Sequence, residues 1–162
     1  MNKKKFVKNS NFLVTKQNNV YYNLFFYDHV KNFKKLMQFS LKKGKKNTIE
    51  NVFRNSLFYL AKNKTEKAKT IINQSVHKTT PYINVKTKRK GSKNVYIPKK
   101  MKKNFSEFLS SNWILDSAKK RSENQFHKKL INELIDITNN KSMVSKKKDE
   151  LHKLAAENSK NK

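Results

Sequence analysis

The sequence predicts a mainly α-helical single domain of about six helices carrying one basic β-hairpin arm between helices three and four. Three observations predict it. Apolar residues recur at helical spacing in six separate stretches. A single stretch, PYINVKTKRKGSKNVYIP, instead alternates with period two around a glycine turn. Only two glycines and two prolines occur in 162 residues, so connections are short and no linker composition appears. A chain of this length suits one domain, burying roughly 70% of its unfolded surface.

Residues 1–27 read as a basic and aromatic N-terminal extension whose Tyr21, Tyr22, Phe25 and Phe26 are placed to dock on the domain. The helical domain spans 28–158, and 159–162 form a short tail. Asp28 is a cap for a first helix with Phe33, Leu36, Met37 and Leu41 on one face, ended by Gly44. Asn47 with Glu50 three residues on resembles a capping box for a second helix, striped by Val52, Phe53, Leu57 and Leu60. Thr65 opens a third helix that buries Ala68, Ile71, Ile72 and Val76.

The arm follows, at about 82–98. Its strands run through Tyr82 to Val85 and Val95 to Ile97, and Gly91 is free to take positive φ in the turn KRKGSKN. The fourth helix is expected from about Lys102 to Lys120, with Phe105, Phe108, Leu109, Ile114 and Leu115 near helical spacing. Phe126, Leu130, Leu134 and Ile137 mark the fifth. A sixth, from about Ser145 to Asn158, carries Leu151 and Leu154.

Charge bounds the function. Thirty-nine basic and 11 acidic residues give a net charge of +28, so the native setting should supply a polyanion, and a long RNA or DNA fits better than a small acidic ligand. A membrane surface fits less well, because no long basic amphipathic segment stands apart. Arginine occurs only as Arg54, Arg89 and Arg121; the rest is lysine, with abundant asparagine. Lys, Asn, Ile and Phe have A/T-rich codons, which suggests an A/T-rich genome such as an organelle's.

With no cysteine, a disulfide framework, a zinc knuckle and a thiol nucleophile are excluded. The longest apolar run, Tyr21 to Tyr27, is too short to span a bilayer. The N-terminus lacks the apolar centre of a secretory signal and, although basic like a transit peptide, carries no arginine; it reads as a mature basic arm.

Three places carry chemistry. In GKKNTIE, Gly44 to Glu50, a glycine, two lysines and a helix start together suit an anion. The spacing is wrong for a nucleotide-binding phosphate loop, and a solvated interhelical turn is an equal alternative. In the arm, four cations fall within five residues, Lys86 to Lys90, and would repel one another without a polyanion. The tip, Lys90, Gly91, Ser92 and Lys93, has no apolar residue to bury. The third place is the ionisable set. Glu50 with Arg54, Asp116 with Lys120, and Asp149 with Lys153 are i,i+4 helix-surface pairs. His29, His77, His127 and His152 share no metal-ligand spacing, and Glu133 with Asp136 has no adjacent histidine. Neither catalysis, nor a metal, nor a cofactor is expected. Trp113, beside Ile114, reads as core rather than as a stacking platform.

Several blocks stand in a familiar order: KLMQFSLKKGKKNTIENVFRNSL from Lys35, and then, in unbroken register from Pro81 to about Asn158, PYINVKTKRKGSKNVYIP, WILDSAKKR, INELID and KKKDELHKLAAEN. On these blocks the chain resembles the small-subunit ribosomal protein seven family of bacterial type. The resemblance implies six helices with a β-ribbon between helices three and four. It also implies binding to the 3′ major (head) domain of small-subunit rRNA, a role in organising head assembly, and a hairpin near the exit tRNA site. Neighbouring small-subunit proteins and exit-site tRNA or mRNA are the implied partners.

Carried over by position, the rRNA-binding set is Lys3, Lys4 and Lys5; Lys45 and Lys46; Lys86, Lys88, Arg89 and Lys90; Lys102 and Lys103; Lys119, Lys120 and Arg121; and Lys146, Lys147, Lys148 and His152. The family commonly has two glycines at the hairpin bend, where this chain has Gly91-Ser92, and an apolar residue where this chain has Lys90. Lysine replaces arginine at several positions, which keeps charge but loses bidentate phosphate contact. The chain stops without the aromatic tail of many bacterial members.

The expected location is a mitochondrial ribosome, the protein being organelle-encoded; a plastid or the bacterial cytoplasm is the alternative. The competing function is an architectural DNA-binding protein with a basic β-arm, but such an arm would want an intercalating apolar residue at its tip.

Overall fold

The structure, a computed structural model, describes residues 31–64 and 68–159. The N-terminal extension with its aromatic patch, Lys3 to Lys5, and the expected caps Asp28 and Thr65 lie outside these residues. The described elements are α1 (Lys31–Ser40), α2 (Lys46–Lys64), α3 (Ala68–Thr79), β1 (Ile83–Lys90), β2 (Lys93–Lys100), α4 (Lys103–Lys120), α5 (Phe126–Thr138) and α6 (Met143–Glu157).

The core follows the apolar stripes of α1, α2, α3 and α5. Phe33 and Leu36 of α1, Phe53, Leu57 and Leu60 of α2, and Ala68, Ile71, Ile72 and Val76 of α3 are all buried. The rings of Phe33 and Phe53 meet with centroids 4.9 Å apart. At the centre lies α5, packed against α2, α3 and α4, with Leu130, Ile131, Leu134 and Ile137 fully buried. Each such side chain contributes roughly 1.5–3 kcal/mol. The helix ends in a Schellman motif: Asn140 takes φ 58°, its N–H donates to Ile137 O, and the Lys141 N–H donates to Asp136 O.

Four expectations change. First, α2 begins at Lys46, so Asn47 already lies inside the helix and does not form the capping box. The turn before it is made by backbone: Lys43 and Gly44 take φ 52° and 69°, and the Lys46 N–H donates to Gly44 O. Second, Leu41 is exposed, because α1 stops at Ser40, whose Oγ donates back to Met37 O. Third, Leu154 of α6 is exposed, whereas Val144 and Ala155 are buried.

The fourth change concerns α4. Phe105 and Phe108 are exposed, and the buried face is Ser106, Ser110, Ser111, Ile114, Leu115 and Ala118. Small side chains let α4 approach its neighbours closely, and each serine hydroxyl has a partner. Ser106 donates to the Pro81 carbonyl, Ser110 and Thr79 share a hydrogen bond of 2.7 Å, and Ser111 donates to Glu107 O. Phe108 instead stands edge-on to Phe39 of α1. Lys35 of α1 pairs with Glu107 beside it.

Candidate nucleic-acid interface

The arm is a regular antiparallel ribbon whose register runs from Ile83 opposite Lys100 to Lys90 opposite Lys93. Its turn is therefore two residues, Gly91-Ser92, tighter than the seven-residue KRKGSKN. Gly91 takes φ 61° and Ser92 has no positive φ, so a glycine is needed only at the first position of the bend. Serine replaces the family's second glycine without strain. Lys86 to Asn94 are all exposed, which leaves Lys86, Lys88, Arg89, Lys90 and Lys93 open to a partner.

At its base the arm is held by α6. The Tyr82 N–H donates to His152 Nε2 at 3.3 Å, and the two rings lie 5.8 Å apart. Lys148 Nζ stands over the Tyr82 ring, 5.5 Å from its centre, and donates to the Lys78 carbonyl at 2.7 Å. Burial, with the nearby Lys148 charge, lowers the His152 pKa, and Asp149 opposes this only in part. A neutral imidazole is the form that can accept from Tyr82. His152 and Lys148 therefore serve the arm's attachment, a role that their place in the expected RNA-binding set does not include.

The other cations gather on neighbouring elements. Lys45 and Lys46 are exposed on the α1–α2 turn beside Lys42 and Lys43, and Lys46 makes only a loose 3.7 Å pair with Glu50. Lys102 and Lys103 are exposed where the arm enters α4; Lys146 and Lys147 are exposed on α6. Lys119 and Lys120 are exposed at the end of α4, where Asp116 pairs with Lys119 at 2.9 Å rather than with Lys120. The Lys119 hydrogen bond lowers the Asp116 pKa, and Lys42 and Lys147 add to the shift. One exposed carboxylate thus sits among cations from the α1–α2 turn, α4 and α6. Lys42 of the α1–α2 turn, Lys119 of α4 and Lys147 of α6 are thus brought near one another, and further exposed lysines stand on the same turn, on the same helices and along the arm; together these are called the basic band.

Arg121 is not part of this band. Its Nη1 donates to Glu133 at 3.0 Å and to Asp136 at 2.6 Å, and its Nε donates to Glu123 at 2.9 Å. Burial opposes the charge, but hydrogen bonds to Asp136, Glu123 and Glu133 outweigh it and raise the pKa above arginine's ordinary value. Glu133, buried, also accepts from Ser117 and from Ser142, the N-cap of α6. Glu123 is lowered to about 2 by hydrogen bonds from Asn132, its own backbone and Arg121. Arg121 therefore ties α4, α5 and the start of α6 together. Glu133 and Asp136 are its counter-ions, and among the described residues no His, Cys, Asp and Glu group is arranged to hold a metal ion.

Sequence reasoning missed Lys78, which donates to the Thr138 carbonyl at 2.7 Å and to Asn140 Oδ1 at 3.0 Å, closing the end of α5. It also placed Trp113 in the core, whereas the ring is half-buried, packed on the core and open to a cleft. Among the described residues no helix is long and apolar enough to cross a membrane.

The sequence profile of the family described as ribosomal protein S7p/S5e matches residues 3–159 of this chain. The chain belongs to this family. Among its relatives, the small ribosomal subunit protein uS7 of Rickettsia akari (strain Hartford) is 34% identical over 123 residues, 73% of this chain and 74% of the relative. The uS7 of a Nitratiruptor species is 32% identical over 116 residues, 71% of this chain and 74% of the relative. That of Stenotrophomonas maltophilia (strain K279a) is 30% identical over 119 residues, 73% and 76% of the two chains. The ribosomal S7 family is a structural class, and six helices with one hairpin between helices three and four are the architecture that the resemblance implies.

Proposed function

We propose that this chain is a structural constituent of the small ribosomal subunit that binds the head domain of its rRNA and organises head assembly. The observation that carries this is the set of exposed lysines from the α1–α2 turn, the end of α4 and α6 that meet around Asp116, in a chain of the S7 family that also carries an exposed basic arm. The rRNA contacts are assigned to Lys45, Lys46, Lys102, Lys103, Lys119, Lys120, Lys146 and Lys147, with Lys3 to Lys5 completing the set from outside the described residues. Phosphates are positioned by such cations without base specificity. Lys86, Lys88, Arg89 and Lys90 add rRNA contacts along the arm, whose tip, Lys90 to Lys93, reaches the exit-site tRNA or mRNA, with neighbouring small-subunit proteins as the other partners. No catalysis and no cofactor belong to this role. A DNA-architectural role is not favoured, because the arm tip presents no apolar wedge to a base step.

The Lys- and Asn-rich composition, with relatives that include Rickettsia proteins, supports an organelle-encoded protein of a mitochondrial ribosome. Sedimentation of the endogenous protein with organellar small subunits tests the location. Binding of the full chain to a transcribed head-domain rRNA tests the role. With about six to ten phosphates neutralised, affinity should fall roughly 10³- to 10⁵-fold between about 50 and 200 mM salt, taking duplex DNA as the guide. A flat salt response would overturn the reading.

A further inference from the structure

We propose that the cleft between α4, α5 and the start of α6 takes one unpaired, amino-bearing base of an RNA strand, stacked on Trp113 with its phosphates on Lys120, Lys141 and Lys147. The proposal deepens the RNA-binding reading above and rests on it.

The cleft has a volume of about 370 Å³. Its walls include Trp113, Asp116 and Lys120 from one face of α4, Lys141 from the α5–α6 turn, and Met143 and Lys147 from α6. On the same helix Ile114 is fully buried, yet Trp113 keeps part of its ring open to this space. Met143, 64% exposed, supplies an apolar, adaptable side chain at the mouth, where it can cover an inserted ring.

The charges select the ligand. Arg121 is occupied by Glu133, Asp136 and Glu123, and Glu133 also accepts from the hydroxyls of Ser117 and Ser142. Lys120, Lys141 and Lys147 are exposed at the rim. Asp116, with its side chain 62% exposed, is fixed by Lys119 as an acceptor within the same walls. An aromatic face, ammonium groups and one carboxylate acceptor match a nucleotide's ring, phosphates and exocyclic amine. Uracil has no exocyclic amine and should be the poorest fit. An arginine-rich peptide could also stack on Trp113, but it would approach three lysines on a chain of net charge +28.

Trp113 is the chain's sole tryptophan, so fluorescence excited beyond the tyrosine absorption band reports on this cleft. The full chain should be titrated with oligoadenylate and oligouridylate of about six nucleotides, a length within single-strand site sizes. Fluorescence and the anisotropy of a labelled oligonucleotide are followed together. Oligoadenylate should quench Trp113 at several-fold lower concentration than oligouridylate, and Asp116→Ala should bring the two curves together. Trp113→Leu should weaken oligoadenylate binding roughly 5- to 150-fold, the factor that one stacked base is worth, and Trp113→Phe should largely restore it. Binding seen by anisotropy without quenching would overturn the proposal and leave the RNA-binding reading intact. So would equal quenching by uridylate, equal affinity for adenosine monophosphate, or stronger quenching by an oligoarginine peptide. No binding to any RNA, head-domain rRNA included, would instead remove the RNA-binding reading itself.

Discussion

The Nη1 of Arg121 lies 3.0 Å from Oε2 of Glu133, whose side chain is only 4% accessible to solvent. A carboxylate so enclosed is stable only with its partners in place, and the guanidinium is the one cation among them. Asp136 and Glu123 complete the arginine's fork, while Ser142 joins the start of α6 to the same carboxylate.

Arg121→Met should therefore destabilise the fold by about 2–3 kcal/mol, the cost of unpairing a buried charge reduced for the exposed part of the guanidinium. In thermal unfolding this is a fall of about 5–10 °C. Glu133→Gln, which keeps hydrogen-bonding capacity, should cost less. An unchanged melting temperature in Arg121→Met would show that this corner holds nothing together.

Acid should loosen the arm before it melts the domain. The folded-state pKa of His152 is lowered, so its contribution is complete above the ordinary histidine value and is lost as pH falls through the folded one. Protonation removes the acceptor for the Tyr82 N–H. The exchange protection of Tyr82 and of β1, corrected for the intrinsic pH dependence of exchange, should fall as pH drops below the ordinary histidine value, while that of α5 stays high. In His152→Ala the same amides should exchange quickly at neutral pH as well, with no further step on acidification.

A second acid response belongs to Glu123, lowered to about 2. The stability it contributes is present above the unfolded glutamate value and is lost as pH falls from there towards 2. Stability measured by denaturant titration should decline over that interval in the parent chain, and Glu123→Gln should flatten the decline.

The packing of α4 gives an enlargement test. Ser110 is fully buried and shares its hydroxyl with Thr79. Ser110→Leu should cost about 1–3 kcal/mol from overpacking against α3, whereas Phe105→Ser on the exposed side of the same helix should be near neutral. Equal effects in chemical unfolding would mean that the two faces of α4 have been exchanged.

At the arm, charge and fold should separate. Replacing Lys86, Lys88, Arg89, Lys90 and Lys93 with glutamine should leave the melting temperature nearly unchanged, because these side chains are exposed. Each lost phosphate contact should lower the salt slope of rRNA binding by about one. Subunit assembly should survive on the remaining band while tRNA retention at the exit site falls. Loss of head assembly outright would make the arm the primary anchor.

Apolar stripes made α3 and α5 legible: the buried residues Ala68, Ile71, Ile72 and Val76, and Leu130, Leu134 and Ile137, are those their spacing marks. The period-two run with its glycine made the arm legible. In α4 that signal was misleading, because its buried face is built of serines, and serine at helical spacing looks like a solvated face until its partners are known. Trp113 deceived for the related reason that an apolar neighbour such as Ile114 can face another way. The basic band was readable as charge but not as geometry. Nothing local separates Lys78 and Lys148, whose ammoniums close the ends of other helices, from Lys120 and Lys147, whose ammoniums face solvent. Arg121 was hidden in the same way, since its carboxylates lie 2, 12 and 15 positions along the chain.

Eight-residue strands joined by a two-residue turn make the arm a lever about 25 Å long, at 3.3 Å per residue. Its fulcrum is its base, where Tyr82 meets His152 and Lys148, the Met101 N–H donates to the Tyr82 carbonyl and both strands lie against α6. A tilt of about 5° at that fulcrum sweeps the tip through roughly 2 Å, close to the difference between a made and a broken hydrogen bond. The aim of Lys90 is thus set at a base that includes Tyr82, eight residues away, so a substitution at Tyr82 can misdirect a tip it never touches.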